Sequence, residues 1–328
     1  MRVFLLVCIL LGSFLGAGFA SGKEIVTYFT VFGIDSNISI VLATIILFFV
    51  MVFYFSVSSK VAGFSGVIRL FFGKFSSVIS ALFVLCIFIL VSTMFAGASS
   101  IASAIDVVSW AILIPTSIIV FICNYFSLKG ISRINAVVIP FMLMVILMVY
   151  GVGDISFENG FSIMSSVSAI NYVFINMLMM GILIIEIGKG YSKREWFFAS
   201  MLFSICIGVL LLIANNSLFV VGDLSIDMPI LYLAKEKGCV LYICTIISIW
   251  LALLTSIISN VFVLETYFDK VIKNRSIRLM LIIAISVIVS MLGFDIMVGY
   301  LYSFIGAVGL LFMIVLIKKQ RNIKYSSV

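Results

Sequence analysis

The sequence predicts an all-α membrane protein of ten transmembrane helices in a five-plus-five inverted repeat, and three observations carry that prediction. The first is composition: of 328 residues, 64% are apolar or aromatic and 10% charged, with a mean hydropathy of +1.38. A water-soluble domain is about half apolar and about a quarter charged, so this chain has too little polar surface for water. The second is spacing. Apolar runs fall at 3–31, 37–59, 75–105, 107–127, 132–152, 166–188, 196–220, 239–268, 277–293 and 296–317, and each reaches the minimum of about 17 residues that a bilayer crossing demands. The third is charge. With the N-terminus in the cytoplasm, seventeen of the twenty Lys and Arg residues fall inside and only Lys235 and Lys237 outside, while Lys23 lies within the first run. One missed or extra span would invert every loop downstream and erase that bias. A multi-pass protein of the cytoplasmic membrane with both termini inside is the expectation.

The same counts exclude other classes. Little sequence remains for a soluble catalytic domain, and the net charge of +7 comes from short loops rather than from a basic patch beside nucleic-acid motifs. Six cysteines without a CxxC pair and a chain without histidine argue against structural zinc, a histidine-dependent triad and a disulfide framework. No cofactor and no catalytic residues are expected, and nucleic acid is not expected as a partner. The oligomeric state is left open.

The first run begins like a signal peptide, with Arg2, an apolar stretch and Gly18-Phe19-Ala20. Its apolar character continues through Ile25, Val26, Tyr28 and Phe29, which favours a full span. Five spans per half is an odd number, so residues 154–328 should sit inverted relative to 1–153 within one integral membrane domain. In each half the third run is the longest, 75–105 and 239–268, and follows the longest connection, 60–74 and 221–238. Both connections read as short amphipathic pieces at the surface. Inverted repeats suit alternating access around a central site.

The most informative stretch is Leu15-Gly16-Ala17-Gly18-Phe19-Ala20-Ser21-Gly22-Lys23-Glu24. Its glycines each weaken a helix by about 1 kcal/mol relative to alanine, so a break is expected here. At membrane depth such a break is tolerated only beside protein, a cavity or a ligand. Free N–H groups from Phe19 onward would suit a carboxylate, and free carbonyls around Gly12 and Leu15 a small cation. Close helix packing through Gly12 and Gly16 is the plainer alternative. Adjacent Lys23 and Glu24 favour a cavity, because charges in an apolar run need water or partners. By inversion the sixth run should break near Asn171, Tyr172, Asn176 and Gly181, although these Asn residues equally suit interhelical hydrogen bonding. Glu186 is expected to form a solvated pair with Lys189. In the eighth run, Thr255, Ser256 and the Ala252 carbonyl could offer oxygens to a hard cation, or the hydroxyls could bond back to their own helix.

The first-span GAGFASGKE and the eighth-span ALLTSIISNVFVLETYFDK resemble the amino acid, polyamine and organocation transporter superfamily, whose five-plus-five, LeuT-type fold also occurs in neurotransmitter:sodium symporters. GAGFASG with the following Glu is similar in particular to YkvI-type membrane proteins of Gram-positive bacteria. The resemblance implies that Gly16, Ala17, Gly18, Phe19, Ala20 and Ser21, with Tyr172 and Asn176, bind the solute. It implies Na+ at the Gly12, Leu15 and Ala252 carbonyls and the Thr255 and Ser256 hydroxyls. It also implies an outer gate from Lys23 and Glu24 toward Asp295. The expected function is symport of a small neutral amino acid or similar zwitterion, coupled to Na+ or otherwise to H+. The alternative is an amino-acid-sensing subunit of the same fold, like those of spore germination receptors.

Overall fold

The computed structural model describes the chain except residues 1, 34–35, 62, 127–130, 152–161, 222, 224–225, 270 and 321–328, and in the helices it leaves the side chains of 17, 131–136 and 320 undescribed. Among the described residues every regular element is helical. The first run forms α1 (Arg2–Phe14), α2 (Ala17–Ser21) and α3 (Lys23–Tyr28), followed by α4 (Ser36–Ser58). A short α5 (Gly63–Phe72) leads into α6 (Ser76–Ala104), then α7 (Trp110–Tyr125) and α8 (Ile131–Tyr150). The second half runs through α9 (Ile163–Ile187), α10 (Lys193–Phe219), a short α11 (Pro229–Glu236), α12 (Cys239–Phe268), α13 (Arg275–Ser290), α14 (Phe294–Ile296) and α15 (Tyr302–Gln320). A π-helical turn, Met297–Leu301, joins the last two.

Each of the ten apolar runs thus holds helix, and α5 and α11 fall in the two long connections. Six stretches are long and apolar enough to cross a bilayer: Ser36–Ser58, Gly63–Ala104, Ile163–Gly190, Lys193–Phe219, Cys239–Phe268 and Phe294–Lys319. Arg2–Phe14, Trp110–Tyr125 and Val137–Tyr150 are shorter apolar helices. Their outward faces are apolar at helical spacing, as at Ile114, Ile118 and Ile122 on α7, each about half exposed. Such stripes would aggregate in water and are lipid-facing in a bilayer. The chain is a multi-pass membrane protein.

The helices pack in two groups. In one, α4 lies against α9 and α10, α1 against α10 and α9, and α15 against α9. In the other, α6 and α7 pack on α12 and α13, with α8 on α12. The first run passes from one group to the other at its break: α1 packs in the first, whereas α2 touches α12 and α6 of the second, and α11. Small residues set the closest approaches. A Cβ on Gly309 would lie 2.5 Å from the Phe174 carbonyl oxygen and one on Gly306 1.8 Å from Asn171 Oδ1, so α15 meets α9 backbone to backbone.

Buried amides tie the end of the first run to its neighbours. Thr30 Oγ1 donates to Asn215 Oδ1 at 2.9 Å, and Asn215 Nδ2 donates to Ser36 Oγ at 2.8 Å and to Asn37 Oδ1 at 2.9 Å. Each group finds a partner, which a low-dielectric interior requires.

Two expectations are corrected. The sixth run does not break: α9 is continuous from Ile163 to Ile187. Its single glycine, Gly181, instead lets the Tyr54 ring approach, a Cβ there lying 2.6 Å from Tyr54 Cε1, and Asn176 Nδ2 donates to the Tyr172 carbonyl at 3.1 Å within its own helix. One glycine without proline costs too little to interrupt a helix packed on this many neighbours. Glu186 does not pair with Lys189 either. Its Oε1 accepts the Phe64 N–H at 2.8 Å and so caps the start of α5, where a free N–H and the helix dipole both favour a carboxylate.

Gly309→Ala should destabilise the protein by about 1–3 kcal/mol, since a main-chain carbonyl cannot move aside, whereas Gly299→Ala, with nothing within 4 Å of its Cβ position, should be neutral. Thermal unfolding of the two variants in detergent reads the difference.

Candidate functional site

The first run breaks at Leu15 and Gly16. Leu15 N–H still reaches the Leu11 carbonyl at 2.9 Å, but Gly16 N–H turns back to Phe14 O at 2.8 Å, and Gly16 is extended (φ −85°, ψ −174°). The next helical bond is Ala20 N–H to Gly16 O at 3.0 Å. Among the described residues the N–H groups of Gly18 and Phe19 therefore find no main-chain acceptor, and the carbonyls of Gly12 and Leu15 no main-chain donor. A second irregularity follows at Gly22, whose φ of +81° is natural only for glycine. There Ser21 Oγ donates to Gly18 O at 2.9 Å and accepts Lys23 N–H at 3.2 Å. Ser21 thus spends its hydroxyl on the turn. A Cβ on Gly12 would lie 2.5 Å from Ile139 Cδ1, so Gly12 also serves close packing against α8.

Glu24 folds back over the break. A Cβ on Gly18 would lie 1.8 Å from Glu24 Oε1, so only glycine leaves room for the carboxylate. Glu24 is buried at 6% exposure, and among the described residues it makes no ion pair and no hydrogen bond. Tyrosines surround it: Tyr28, Tyr172 and Tyr302 all lie within its electrostatic reach. Tyr172 on α9 packs its ring against Phe29 at 5.0 Å, Tyr28 at 5.9 Å and Phe14 at 6.1 Å between centroids. Among the described residues the Tyr172 and Tyr150 hydroxyls are buried without a hydrogen-bond partner, and Tyr150 Oη lies 3.0 Å from the Cβ position of Gly22. Three polar groups with no partner among the described residues thus gather around α2 and α3 in an apolar interior.

Lys23 is buried at 1% exposure. Its Nζ lies 2.8 Å from Asp295 Oδ1 and donates to the Ile226 carbonyl at 3.2 Å, joining α3 to α14 and to the segment before α11. Asp295 keeps most of its side chain exposed, so the pair straddles the boundary between interior and surroundings. The structure thereby brings Lys23 and Asp295 together, and separately gathers Gly16, Gly18, Glu24 and Tyr172 about the break. Phe19 and Ala20 are buried, Ala17 has an undescribed side chain, and Asn176 is committed to its own helix. Of the suggested cation ligands, Thr255 Oγ1 donates to the Ala252 carbonyl at 3.2 Å, and Ser256 is half-buried on the same helix.

Sequence reasoning missed the π-turn and what it does. The Tyr28 hydroxyl donates to Val298 O at 3.1 Å and lies 3.1 Å from Ser303 Oγ, which itself donates to Gly299 O at 2.7 Å. A π-turn releases carbonyls from the regular ladder, and here α3 takes one of them. Gly299 was the only local sign.

The same helical architecture, with a first span broken at mid-length, has counterparts among known proteins. The solved structure of Mhp1, a nucleobase-cation-symport-1 family transporter in a closed conformation with bromovinylhydantoin bound, matches this chain with a TM-score of 0.65. The match covers 98% of this chain and 79% of that one at 14% identity, a level at which the fold is what the two share. In sequence the chain is similar to the uncharacterized protein YyaD of Bacillus subtilis (strain 168), 25% identical over 325 residues and 94% of each chain. No family model matches the chain.

Tyr172→Phe removes a buried hydroxyl that has no partner, so it should leave stability unchanged or raise it by about 1 kcal/mol. A loss of about 1 kcal/mol or more on thermal unfolding would show that the hydroxyl is engaged.

Proposed function

We propose that the chain is a secondary active transporter that moves a small neutral amino acid or related zwitterion by alternating access. The observation that carries this reading is the break at Leu15 and Gly16, which leaves N–H and C=O groups free between the two helix groups, where rocking of one group against the other would alternate access. In this reading the ten apolar runs are ten crossings, 1–153 and 154–328 are the inverted halves, and both termini are cytoplasmic. The chain then sits within the amino acid, polyamine and organocation superfamily, near the YkvI-type proteins. The hydantoin in Mhp1 is also a small polar molecule, which supports a solute of this size.

The solute site is built from Gly16 to Ser21 with Tyr172 and Asn176. The later spans place no charge cluster there, which favours a solute without net charge. Lys23 and Asp295 form the outer gate, holding α3 to α14 when the path on that side is shut. Na+ is the coupling ion, held by the free Gly12 and Leu15 carbonyls together with Ala252 O, Thr255 and Ser256. Ion entry replaces the Thr255-to-Ala252 bond with ion contacts, and the packing of α12 against α2 supports this placement. One observation favours a second reading in which H+ is the coupling ion: Glu24, lying over the break, has no partner among the described residues.

Proteoliposomes loaded with unlabelled amino acid should accumulate labelled amino acid by counterflow, driven faster by inward Na+. Thr255→Ala with Ser256→Ala should abolish the Na+ dependence, and unchanged dependence removes the ion site. A ligand-sensing subunit would bind but show no counterflow. If H+ drives transport instead, Glu24→Gln should lose uptake driven by a pH gradient and keep counterflow, which moves no net protons. Uptake by the variant that still follows the pH gradient rules Glu24 out.

A further inference from the structure

Far from the break, α5 and the first turns of α6 join a basic collar to an apolar stripe. Val67, Ile68 and Phe71 bury one face of α5, whereas Arg69 and Leu70 are exposed, as is Lys74 in the turn Gly73–Phe75 that leads into α6. Lys319 brings the end of α15 to the same place. Its Nζ donates to the Phe71 carbonyl and lies 5.9 Å from the Phe72 ring centroid, and Phe72 stacks on Phe312 at 5.3 Å. The neighbouring Lys318 is exposed. Among the described residues Arg69, Lys74 and Lys318 form no ion pair and no side-chain hydrogen bond. No Asp or Glu occurs in α5, α6 or α15, and Glu186 meets α5 at its opposite end. Beyond the collar, Phe75, Val78 and Leu85 are 70%, 64% and 49% exposed, at a spacing that sets them along one side of the helix.

We propose that this surface holds an anionic phospholipid, its phosphate on Arg69, Lys74 and Lys318 and an acyl chain along Phe75, Val78 and Leu85. The charges select the headgroup, since basic residues at a membrane surface attract anionic lipid and guanidinium binds phosphate through two hydrogen bonds. The stripe selects a lipid over a free anion, because only an amphiphile matches charge and apolar surface together. A zwitterionic lipid would bring the same chain with a cation of its own, which the collar opposes. Such a lipid would also brace a junction. The helix α5 is fastened to α9 through Glu186 and to α15 through Lys319, so a headgroup on its outer face holds that corner of the structure together. The proposal stands apart from the transport reading and from the identity of any solute.

The test titrates the full chain in detergent with phosphatidylglycerol, or with phosphatidylcholine of the same acyl chains, and counts bound lipid by mass spectrometry of the intact complex. Phosphatidylglycerol should bind at least about tenfold more tightly than phosphatidylcholine. Arg69→Gln, Lys74→Gln and Lys318→Gln should each weaken it by about fivefold, and the first two together by about thirtyfold. All three residues are exposed, so the variants should fold, and Lys318→Gln tests the collar from α15 should the α5 variants fail. Lys189→Gln with Lys193→Gln removes two exposed charges at the joint of α9 and α10 and should leave binding unchanged. Excess glycerol phosphate should not displace the lipid. The proposal is overturned if phosphatidylcholine binds as well, if the collar variants bind unchanged, or if the Lys189 and Lys193 pair loses as much as the Arg69 and Lys74 pair. Displacement by glycerol phosphate overturns it too, since the collar would then be a site for a free anion.

Discussion

Main-chain hydrogen bonding at membrane depth is the constraint on which the rest of the structure depends. A helix satisfies every peptide group internally, and a bilayer offers no substitute when it stops. Here it stops at Leu15 and Gly16, and much of what surrounds the break is explained by that interruption. Ser21 closes the turn that follows, Gly22 supplies the left-handed residue, and α6, α12 and α11 pack against α2.

The polar groups of the interior divide by how well they are matched. Thr30, Ser36, Asn37 and Asn215 form a hydrogen-bonded set that fastens the end of the first run to α4 and α10. Tyr28 is anchored on the π-turn before α15. Glu24, Tyr150 and Tyr172, by contrast, converge without partners among the described residues. The satisfied groups fix the C-terminal end of α3, the Lys23–Asp295 pair fixes its start, and the unsatisfied groups lie beside it. A buried polar group left unmatched is costly, and a bound solute or ion would give these three a partner.

Much of the architecture was legible in the sequence because it rests on local chemistry. Apolar length gives helices, and three glycines within seven residues weaken one helix at one place, so Gly16 and Gly18 announced the break. The resemblance to known transporters suggested Lys23 with Asp295, residues 272 positions apart that no spacing argument could join. Other features were hidden because tertiary contacts decide them. Asn171, Asn176 and Gly181 looked like a second break, yet they serve packing and local hydrogen bonding in a continuous α9. Glu186 seemed bound to its neighbour Lys189 and instead caps a helix more than a hundred residues away. That Glu24 would lie over Gly18, and that Tyr150 would approach Gly22, depends on how α3 turns after Gly22.

The account depends most on the free amides at the break, and residue-resolved hydrogen exchange in lipid nanodiscs measures them directly. Gly18 and Phe19 N–H should exchange far faster than Leu10 or Ala20 N–H, and should slow when a bound solute covers them. Protection of Gly18 and Phe19 equal to that of Leu10 and Ala20, unchanged by any solute, would mean that the helix is closed there, and the account would be wrong.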